Sequence, residues 1–247
     1  TATRQDVRAY LESRPIAAEL EAIAEALALA TETGCKLHIV HISSAAGVGL
    51  VTEARARGVD VSAETCPHYL WFTEDDLERL GAVLKCAPPV RSSTELEALW
   101  RVLPDIDMIG SDHSPAPSAL KTSSNFFEVW GGISGVQSTL EVMLSGAAIR
   151  GLDTAMLMPK LSANPAMRFG LLKKGKLEPG YDADIALVDY IPWQLETADL
   201  HYRHAQSPYL GAALQARVRR TFVRGQMVWN GEGFIPIRGK WLRNDLS

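Results

Sequence analysis

Residues 36–44 read KLHIVHISS, a short apolar run rich in β-branched side chains, which is typical of a buried strand. A helix is expected next, because Ser43 or Ser44 suits its start and Gly58 suits the position after its end. Residues 59–65, VDVSAET, then predict a second strand. A strand, a helix and a strand with short connections indicate a βαβ unit, and therefore a parallel sheet.

The same alternation continues on both sides of this unit. Residues 15–34 place apolar side chains at helical spacing, with Pro15 at the start and Gly34 just past the end. Residues 106–112, IDMIGSD, predict a third strand after a helix that starts at Ser92 or Ser93 and runs to Trp100. Two further helices are expected, one over residues 136–150 and one that Asn164 caps, with Pro165 in its first turn and its end near Gly170.

The character of the sequence changes after Leu171. Residues 173–189 alternate Gly-rich turns with apolar pairs, and residues 218–234 predict a hairpin around Arg224 and Gly225. The sequence therefore predicts two domains, an α/β domain over residues 1–171 and a β domain over residues 172–247.

Composition and charge exclude several classes of protein. A hydrophobic content of 47% and a charged content of 22% are typical of globular enzymes. A net charge of −4 gives no general attraction to nucleic acid or to anionic membranes. No apolar run is long enough to span a bilayer, and the polar N-terminal segment is unlike a signal peptide. The three cysteines, which show no close pairing, favour reduced thiols and a cytoplasmic location.

Three chemically capable side chains lie where predicted strands end. His41, His68 and Asp112 each come at or just after the carboxyl end of a strand. Active sites of α/β proteins form at this edge. Since imidazole and carboxylate groups bind divalent zinc, iron, cobalt or manganese, their placement predicts a metal site.

Each of these residues also has an interpretation without a metal. His38 alternates with apolar residues and suits a core histidine, and the same holds for His41. Asp112 suits a loop cap, although burial of an unpaired carboxylate would be costly. His68 suits a loop residue that packs beside its neighbouring proline. Cys66 fits a small buried side chain better than a nucleophile, because no base is paired with it.

Eight motifs occur in order along the chain, and together they are more specific than any one alone. They read HIVHISS (38–44), AETCPHYL (63–70), KCAPPVR (85–91), IGSDHSPAPSALK (109–121), WGGISG (130–135), SANPAMRFGL (162–171), KGKLEPGYDADIALVD (174–189) and YRHAQSPY (202–209). With these motifs the chain resembles the cyclic amidohydrolases, which include allantoinases, dihydropyrimidinases or hydantoinases, and dihydroorotases. The SDHSP segment, Lys121, WGGISG and YRHAQSPY are most similar to allantoinases.

The resemblance implies a TIM-type (β/α)8 barrel that carries a small β-sandwich domain built from both chain ends. It makes residues 38–43 barrel strand six, residues 59–65 strand seven and residues 108–112 strand eight. The tail after residue 172 would be the C-terminal part of the β-sandwich. A complete barrel needs about 250 residues, so this chain is expected to hold only the C-terminal half of one.

The resemblance also implies a chemistry, the metal-dependent hydrolysis of a cyclic amide that opens allantoin to allantoate in purine and ureide catabolism. Members of the family bind two divalent metal ions, for which we expect zinc, with iron, cobalt or manganese as alternatives. His41 and Asp112 match two metal ligands, and Asp112 also matches the catalytic proton carrier. An HxH pair, a bridging carboxylated lysine and a further histidine have no match, so this chain alone is expected to be inactive.

Substrate contacts in the family come largely from backbone groups, and the matching positions are Ala87, Trp130 and Gly131. Lys121 is a feature that the chain shares with allantoinases. A solvent-exposed lysine is the simpler interpretation, and we assign it no further role. The expected partner is a small cyclic ureide, and the expected assembly is a homo-oligomer such as a homotetramer. No nucleic acid or membrane partner is expected.

Two other functions stay open at this point. The first keeps the enzyme class and changes the substrate, to give dihydropyrimidinase, hydantoinase or dihydroorotase activity. The second is a non-catalytic, amidohydrolase-like scaffold. The retained His41 and Asp112 argue against it, and the unmatched metal ligands leave it open.

Overall fold

The computed structural model describes residues 4–242, which divide into two compact units. The first unit contains the residues up to 139 together with 196–211, and the second contains 140–195 together with the residues from 212 onwards. The boundaries between these two compact units therefore follow residues 139, 195 and 211, and none of them lies at residue 172. The boundary near residue 172 concerns the domains of the whole protein and stays a prediction.

The first unit alternates helices and strands, as the sequence predicts. Its elements are α1 (Val7–Glu12), α2 (Ile16–Thr33), β1 (Leu37–Ile39), α3 (Ala45–Ala56), β2 (Val61–Thr65), α4 (Glu74–Leu80), α5 (Ser93–Arg101) and β3 (Met108–Ile109). The strands pair in the order β1–β2–β3, and both pairs are parallel. The predicted βαβ unit and its parallel sheet are confirmed.

Local sequence explains where these helices begin and end. Gly34 ends α2 in the left-handed conformation with φ of 69°, which glycine adopts at little steric cost. The Ser44 hydroxyl accepts a hydrogen bond from the Gly47 amide at 3.1 Å and caps α3. Ser92 caps α5 in the same way through the amide of Glu95.

The strands are shorter than the apolar runs suggest. β1 ends at Ile39 although its apolar run continues to Ile42, and β3 consists of Met108 and Ile109 alone. Shortly after each strand, at His41 and Asp112, the backbone takes positive φ values of 43° and 44°. A left-handed residue cannot continue an extended strand, so the chain turns at these two positions.

Hydrogen bonds keep both turns in register with β2. The Ile42 amide donates to the Glu64 carbonyl at 2.9 Å, and the Thr65 hydroxyl donates to the Ile42 carbonyl at 2.7 Å. On the other side of β2, the Gly110 amide donates to the Thr65 carbonyl at 3.0 Å. The segments after β1 and β3 are thus both tied to the end of β2, at one edge of the sheet that we call the carboxyl edge.

The core of the first unit lies between this sheet and its helices. Val51 and Ala54 of α3, Ala63 of β2, Leu99 of α5 and Leu103 all have 0% exposure. Complete burial of an aliphatic side chain of leucine size stabilises a fold by about 1.5–3 kcal/mol, so this packing holds the strands in place.

The second unit combines short helices with antiparallel strands. Its elements are α6 (Thr139–Ile149), which starts one residue before the unit, α7 (Met158–Leu161), α8 (Ala163–Arg168), β4 (Ile185–Asp189), β5 (Trp193–Gln194), β6 (Ala213–Leu214), β7 (Arg217–Val223) and β8 (Gln226–Trp229). One sheet has the order β4–β7–β8, and β5 pairs with β6. Within the described residues, no helix is both long and apolar enough to cross a membrane.

Two sequence predictions in this unit have different outcomes. The hairpin is confirmed, because β7 and β8 pair antiparallel around Arg224 and Gly225, with φ of 50° and 77°. The prediction that Asn164 caps a helix is wrong. α8 begins one residue earlier, at Ala163, and Ser162 takes the cap position.

Polar contacts explain why α6 belongs with these strands. The buried Glu141 carboxylate accepts a hydrogen bond from the Val218 amide of β7 at 2.7 Å. The buried Ser145 hydroxyl accepts one from the Gln215 amide at 2.8 Å. These side chains of α6 satisfy backbone donors that the sheet leaves unpaired, so the helix and β7 form one compact body.

Asp107 offers a test of how β3 is held in register. Its carboxylate accepts hydrogen bonds from the buried Ala63 amide at 2.8 Å and from Arg55 at 2.6 Å. We expect Asp107→Ala to lower the free energy of unfolding by about 1–3 kcal/mol, because the Ala63 donor loses this acceptor. Urea unfolding of the 247-residue chain measures the change. The exposed Asp105 is the matched control, and equal losses in Asp107→Ala and Asp105→Ala would contradict the prediction.

Candidate active site

His41 and Asp112 share a backbone conformation that is rare for residues with a side chain. Their φ values are 43° and 44°, and among the described non-glycine residues only Arg224 of the β7–β8 turn is also positive. This conformation costs about 1–2 kcal/mol, and such strain concentrates at functional sites. Both predicted metal ligands are therefore held in strained turns at the carboxyl edge.

The side chains of both residues are left unused by the rest of the fold. Within residues 4–242, neither the His41 ring nor the Asp112 carboxylate takes part in a hydrogen bond or an ion pair. By contrast, the His38 ring lies 2.8 Å from the Ser62 hydroxyl and 3.4 Å from a Glu64 carboxylate oxygen. His38 thus has partners in the fold, whereas Asp112 caps no loop.

One strand separates the two unused groups. β1 and β3 both pair with β2, and adjacent strands lie ~4.8 Å apart, so the ends of β1 and β3 are roughly 10 Å apart. The described residues contain no group of three or more His, Cys, Asp or Glu side chains that could hold a metal ion. The carboxyl edge therefore supplies two ligand-type groups and not a complete metal site.

A buried ion pair fixes the turn that follows His41. The Glu19 carboxylate of α2 accepts hydrogen bonds from the Ser43 amide at 3.2 Å and from the Ser44 hydroxyl at 2.6 Å. Arg91 lies 3.7 Å from the same carboxylate and donates to the Ser43 hydroxyl at 2.9 Å. Because 7% of the Glu19 side chain and 10% of the Arg91 side chain are exposed, water scarcely weakens these bonds.

His68 is placed differently from His41 and Asp112. It lies in a short 3₁₀ turn, Pro67–Leu70, directly after β2, and its ring is fully buried with no hydrogen-bond partner among the described residues. Burial, with a smaller contribution from the nearby His41, lowers the pKa of His68 to about 3. His68 is consequently a neutral, buried ring, and its electrostatic coupling shows that His41 lies close to the end of β2.

The buried cysteines are unreactive thiols. Burial raises the pKa of Cys66 well above its usual value, and the Asp112 carboxylate raises it further. Burial likewise raises the pKa of Cys86 to about 12, with Asp112 again contributing. Thiolate is the nucleophilic form, so neither cysteine is a nucleophile near neutral pH, in agreement with the interpretation of Cys66. The contribution of Asp112 to the pKa of Cys86 also indicates that Asp112 lies near the segment that carries Ala87.

A cavity joins two of the predicted site residues. His41 and Ala87 line a space of about 550 Å³ beside α2 and β1, together with Glu19 and Arg91. Asp112, Trp130 and Gly131 are not among its lining residues. Ala87 and His41 thus line the same cavity, whereas the other two predicted substrate contacts, Trp130 and Gly131, do not line it.

Trp130 and Gly131 lie on a loop that is bound to the segment after Asp112. The Ser114 amide donates to the Ile133 carbonyl at 2.9 Å, and the Trp130 indole N–H donates to the Ser114 carbonyl at 3.3 Å. A parallel bridge between His113 and Ile133 adds to these contacts. The loop is therefore anchored to the segment directly after Asp112.

The profile of the amidohydrolase family matches residues 12–228 of this chain. The chain belongs to the amidohydrolase family. Its parallel βαβ arrangement is the part of the family's TIM-barrel-type fold that these residues display.

Known relatives of this amidohydrolase chain confirm the predicted resemblance to allantoinases. An allantoinase from Deinococcus radiodurans is 53% identical over 97% of this chain and 54% of its own length. An allantoinase from Rubrobacter xylanophilus is 52% identical over 94% of this chain and 52% of its own length. The chain thus spans about half the length of the curated relatives it matches.

Solved structures show the same partial overlap. An L-hydantoinase (dihydropyrimidinase) from Arthrobacter aurescens superimposes with a TM-score of 0.91 at 35% identity, over 95% of this chain and 54% of that structure. A dihydropyrimidinase from Brevibacillus agri gives a TM-score of 0.87 at 28% identity. The fold of this amidohydrolase chain is therefore shared with solved structures that are named hydantoinase or dihydropyrimidinase.

Lys121 corrects an interpretation made from the sequence. The solvated lysine expected there is in fact half-buried, and its ammonium group donates to three carbonyl oxygens. These belong to Ala82, Trp130 and Gly132, at 2.8, 2.9 and 2.7 Å. Lys85, which sequence reasoning missed, is buried and also binds backbone carbonyls. Its position between the apolar Leu84 and Cys86 was the available signal.

Gly132 packs tightly against the segment after Asp112. A Cβ atom at this position would lie 2.5 Å from the Ser114 side chain and 2.8 Å from the Ser114 carbonyl oxygen. A Cβ atom on Gly131 would find its nearest neighbour at 4.0 Å, the Cε atom of Lys85. Gly132 is thus required by packing against Ser114, whereas the space at Gly131 is open.

We expect Gly132→Ala to destabilise the chain by about 1–3 kcal/mol, because the Ser114 backbone must shift to admit a methyl group. Gly131→Ala is the matched control and should leave the free energy of unfolding almost unchanged. Urea unfolding of both variants measures the difference. Equal stability of the two variants would show that the loop does not pack on Ser114 as described.

Proposed function

We propose that the protein containing this chain is a metal-dependent cyclic amidohydrolase that opens allantoin to allantoate. The observation that carries the proposal is the pair of unused side chains, His41 and Asp112, in strained turns at the carboxyl edge of the sheet. The identity of 53% to an allantoinase, against 35% to a hydantoinase, supports allantoin as the substrate.

The residues present fit divalent metal ions. An imidazole and a carboxylate, both without partners in the described fold and both at a strained backbone, are suitable ligands for zinc, which we expect, or for iron, cobalt or manganese. We assign His41 and Asp112 as ligands of a two-metal site. When bound, such ions lower the pKa of water towards ~7 and polarise a substrate carbonyl. The other ligands, including a carboxylated lysine, would come from outside these residues.

Asp112 has a second role in this proposal. Its carboxylate is exposed and makes no hydrogen bond to the described fold, so it is accessible to water and to a substrate. It accepts the proton of the attacking water and delivers it to the leaving ring nitrogen, which is general acid–base catalysis by one group. His41 takes no part in this transfer and serves as a ligand.

The backbone groups of Ala87, Trp130 and Gly131 are the proposed substrate contacts. Ala87 and Gly131 are exposed, and the Trp130 ring is 44% exposed, so all three are accessible to a small ring. Backbone donors and acceptors suit a cyclic ureide, whose ring alternates N–H and C=O groups. Because no side-chain atom is needed, Ala87 serves as well as a polar residue at this position.

The remaining features follow the family resemblance. We propose β1, β2 and β3 as barrel strands six, seven and eight, and the residues after 172 as part of the β-sandwich domain. The three free cysteines support a reducing compartment such as the cytoplasm. The homotetramer stays a prediction.

A substrate panel tests the proposed activity. The full-length protein, supplied with zinc, is assayed with allantoin, hydantoin and dihydrouracil, and we expect the highest kcat/KM with allantoin. A preference for dihydrouracil would favour the dihydropyrimidinase alternative, which the structural similarity to hydantoinases also supports. Failure to bind metal after supplementation, with no hydrolysis of any of the three, would favour the non-catalytic scaffold.

Substitution of Asp112 tests its role in proton transfer. We expect Asp112→Asn in the full-length protein to lower kcat by about 10²–10⁴-fold, because an amide cannot carry the proton. Asp105→Asn, at an exposed position before β3, is the control and should retain full activity. Metal content is measured for both variants. Near wild-type kcat in Asp112→Asn would remove Asp112 from the mechanism.

A further inference from the structure

Two lysines are directed at one loop of the first unit. Residues 122–138 contain no helix or strand, so their backbone groups need partners from elsewhere. The buried Lys85 ammonium donates to the carbonyl oxygens of Phe126 at 2.5 Å, Phe127 at 3.3 Å and Val129 at 2.5 Å. Lys85 therefore fixes the first half of this loop.

Lys121 fixes the next part of the loop. It donates to the carbonyl oxygens of Trp130 and Gly132, and it connects them to the Ala82 carbonyl in the 3₁₀ turn Gly81–Leu84. An ammonium group has three donors, and each of the two lysines meets three carbonyl oxygens. The donors of both groups are thus fully used within the protein.

This arrangement leaves the peptide groups of Gly131 free. The carbonyls of Val129, Trp130 and Gly132 are each taken by a lysine, whereas the N–H and C=O of Gly131 bond to none of the described residues. Gly131 is exposed, and the space beside its Cα is open to 4.0 Å. The loop therefore presents one unpaired peptide donor and acceptor, with the carbonyls on both sides already occupied.

Backbone contacts place the loop that Lys121 binds beside the proposed catalytic residue. The Ser114 amide, two residues after Asp112, donates to the carbonyl oxygen of Ile133 at 2.9 Å, and Ile133 directly follows Gly132, whose carbonyl Lys121 binds. Burial is the main reason that the pKa of each lysine is lowered to about 8, and Arg14 contributes to the lowering at Lys85. Burial of an ammonium group is costly unless it is hydrogen-bonded, so each lysine requires the loop carbonyls that it binds.

We propose that Lys85 and Lys121 are positioning residues, which hold the Gly131 peptide free so that its N–H and C=O can bind the amide edge of a cyclic ureide. This inference rests on the proposed function, and it adds the two side chains that set the recognition geometry. Neither lysine touches the substrate. A cyclic ureide offers an N–H next to a C=O, which complements the free donor and acceptor of one peptide residue.

Lys121→Met in the full-length protein tests the proposal. The Gly131 peptide group would bind the substrate equally in the ground state and in the transition state. We therefore expect KM for allantoin to rise about tenfold while kcat stays within about twofold. Lys121→Arg, which keeps the charge and the N–H donors, should restore at least part of the affinity. The control is Lys36→Met, an exposed lysine at the amino end of β1.

A purely structural role would give a different pattern. Loss of folded enzyme lowers kcat per total protein and leaves KM unchanged, and this result for Lys121→Met would overturn the proposal. An unchanged KM together with an unchanged kcat would overturn it as well.

A second measurement uses the wild-type protein and does not depend on the folding of a variant. Hydrogen–deuterium exchange of the peptide covering residues 129–135 is followed with and without hydantoin, and we expect hydantoin to slow the exchange at Gly131. Binding of hydantoin with no protection of this peptide would overturn the positioning role and leave the proposed function intact. Absence of binding by both hydantoin and allantoin would overturn both proposals.

Discussion

Parallel pairing of β1 and β3 with β2 is the interaction on which the candidate site depends. It brings the carboxyl ends of all three strands to one edge, and backbone hydrogen bonds from Ile42 and Gly110 continue the register beyond the strands. The turns at His41 and Asp112 then point away from the ladder. Without this pairing, the two groups, 71 residues apart by their numbering in the chain, would have no common location.

Buried polar side chains hold the segments next to this edge in place. The Glu19–Arg91 pair holds the turn after His41, and Lys85 and Lys121 hold the loop that is bound to the turn after Asp112. Irregular backbone next to the carboxyl edge cannot satisfy its own donors and acceptors, so side chains from neighbouring segments must do so. The same lysines also determine which backbone carbonyls of the loop are already bonded and which, as at Gly131, are not.

Sequence reasoning succeeded where the structure depends on local chemistry. Gly34, Ser44 and Ser92 end or cap helices through contacts within a few residues, and the alternation of strands and helices identified the parallel sheet. It failed at the strand ends, because left-handed turns at His41 and Asp112 stop the strands before the apolar runs end. It also failed for Lys121, whose acceptors Ala82 and Gly132 are adjacent only in the fold. Residue types at the candidate site were predictable, and their supporting contacts were not.

Anomalous diffraction from zinc-grown crystals of the full-length protein tests the central claim most directly. The account predicts metal peaks at about 2.0–2.2 Å from a ring nitrogen of His41 and from a carboxylate oxygen of Asp112, as zinc requires. Zinc peaks elsewhere in the molecule, with both of these side chains unligated, would contradict it.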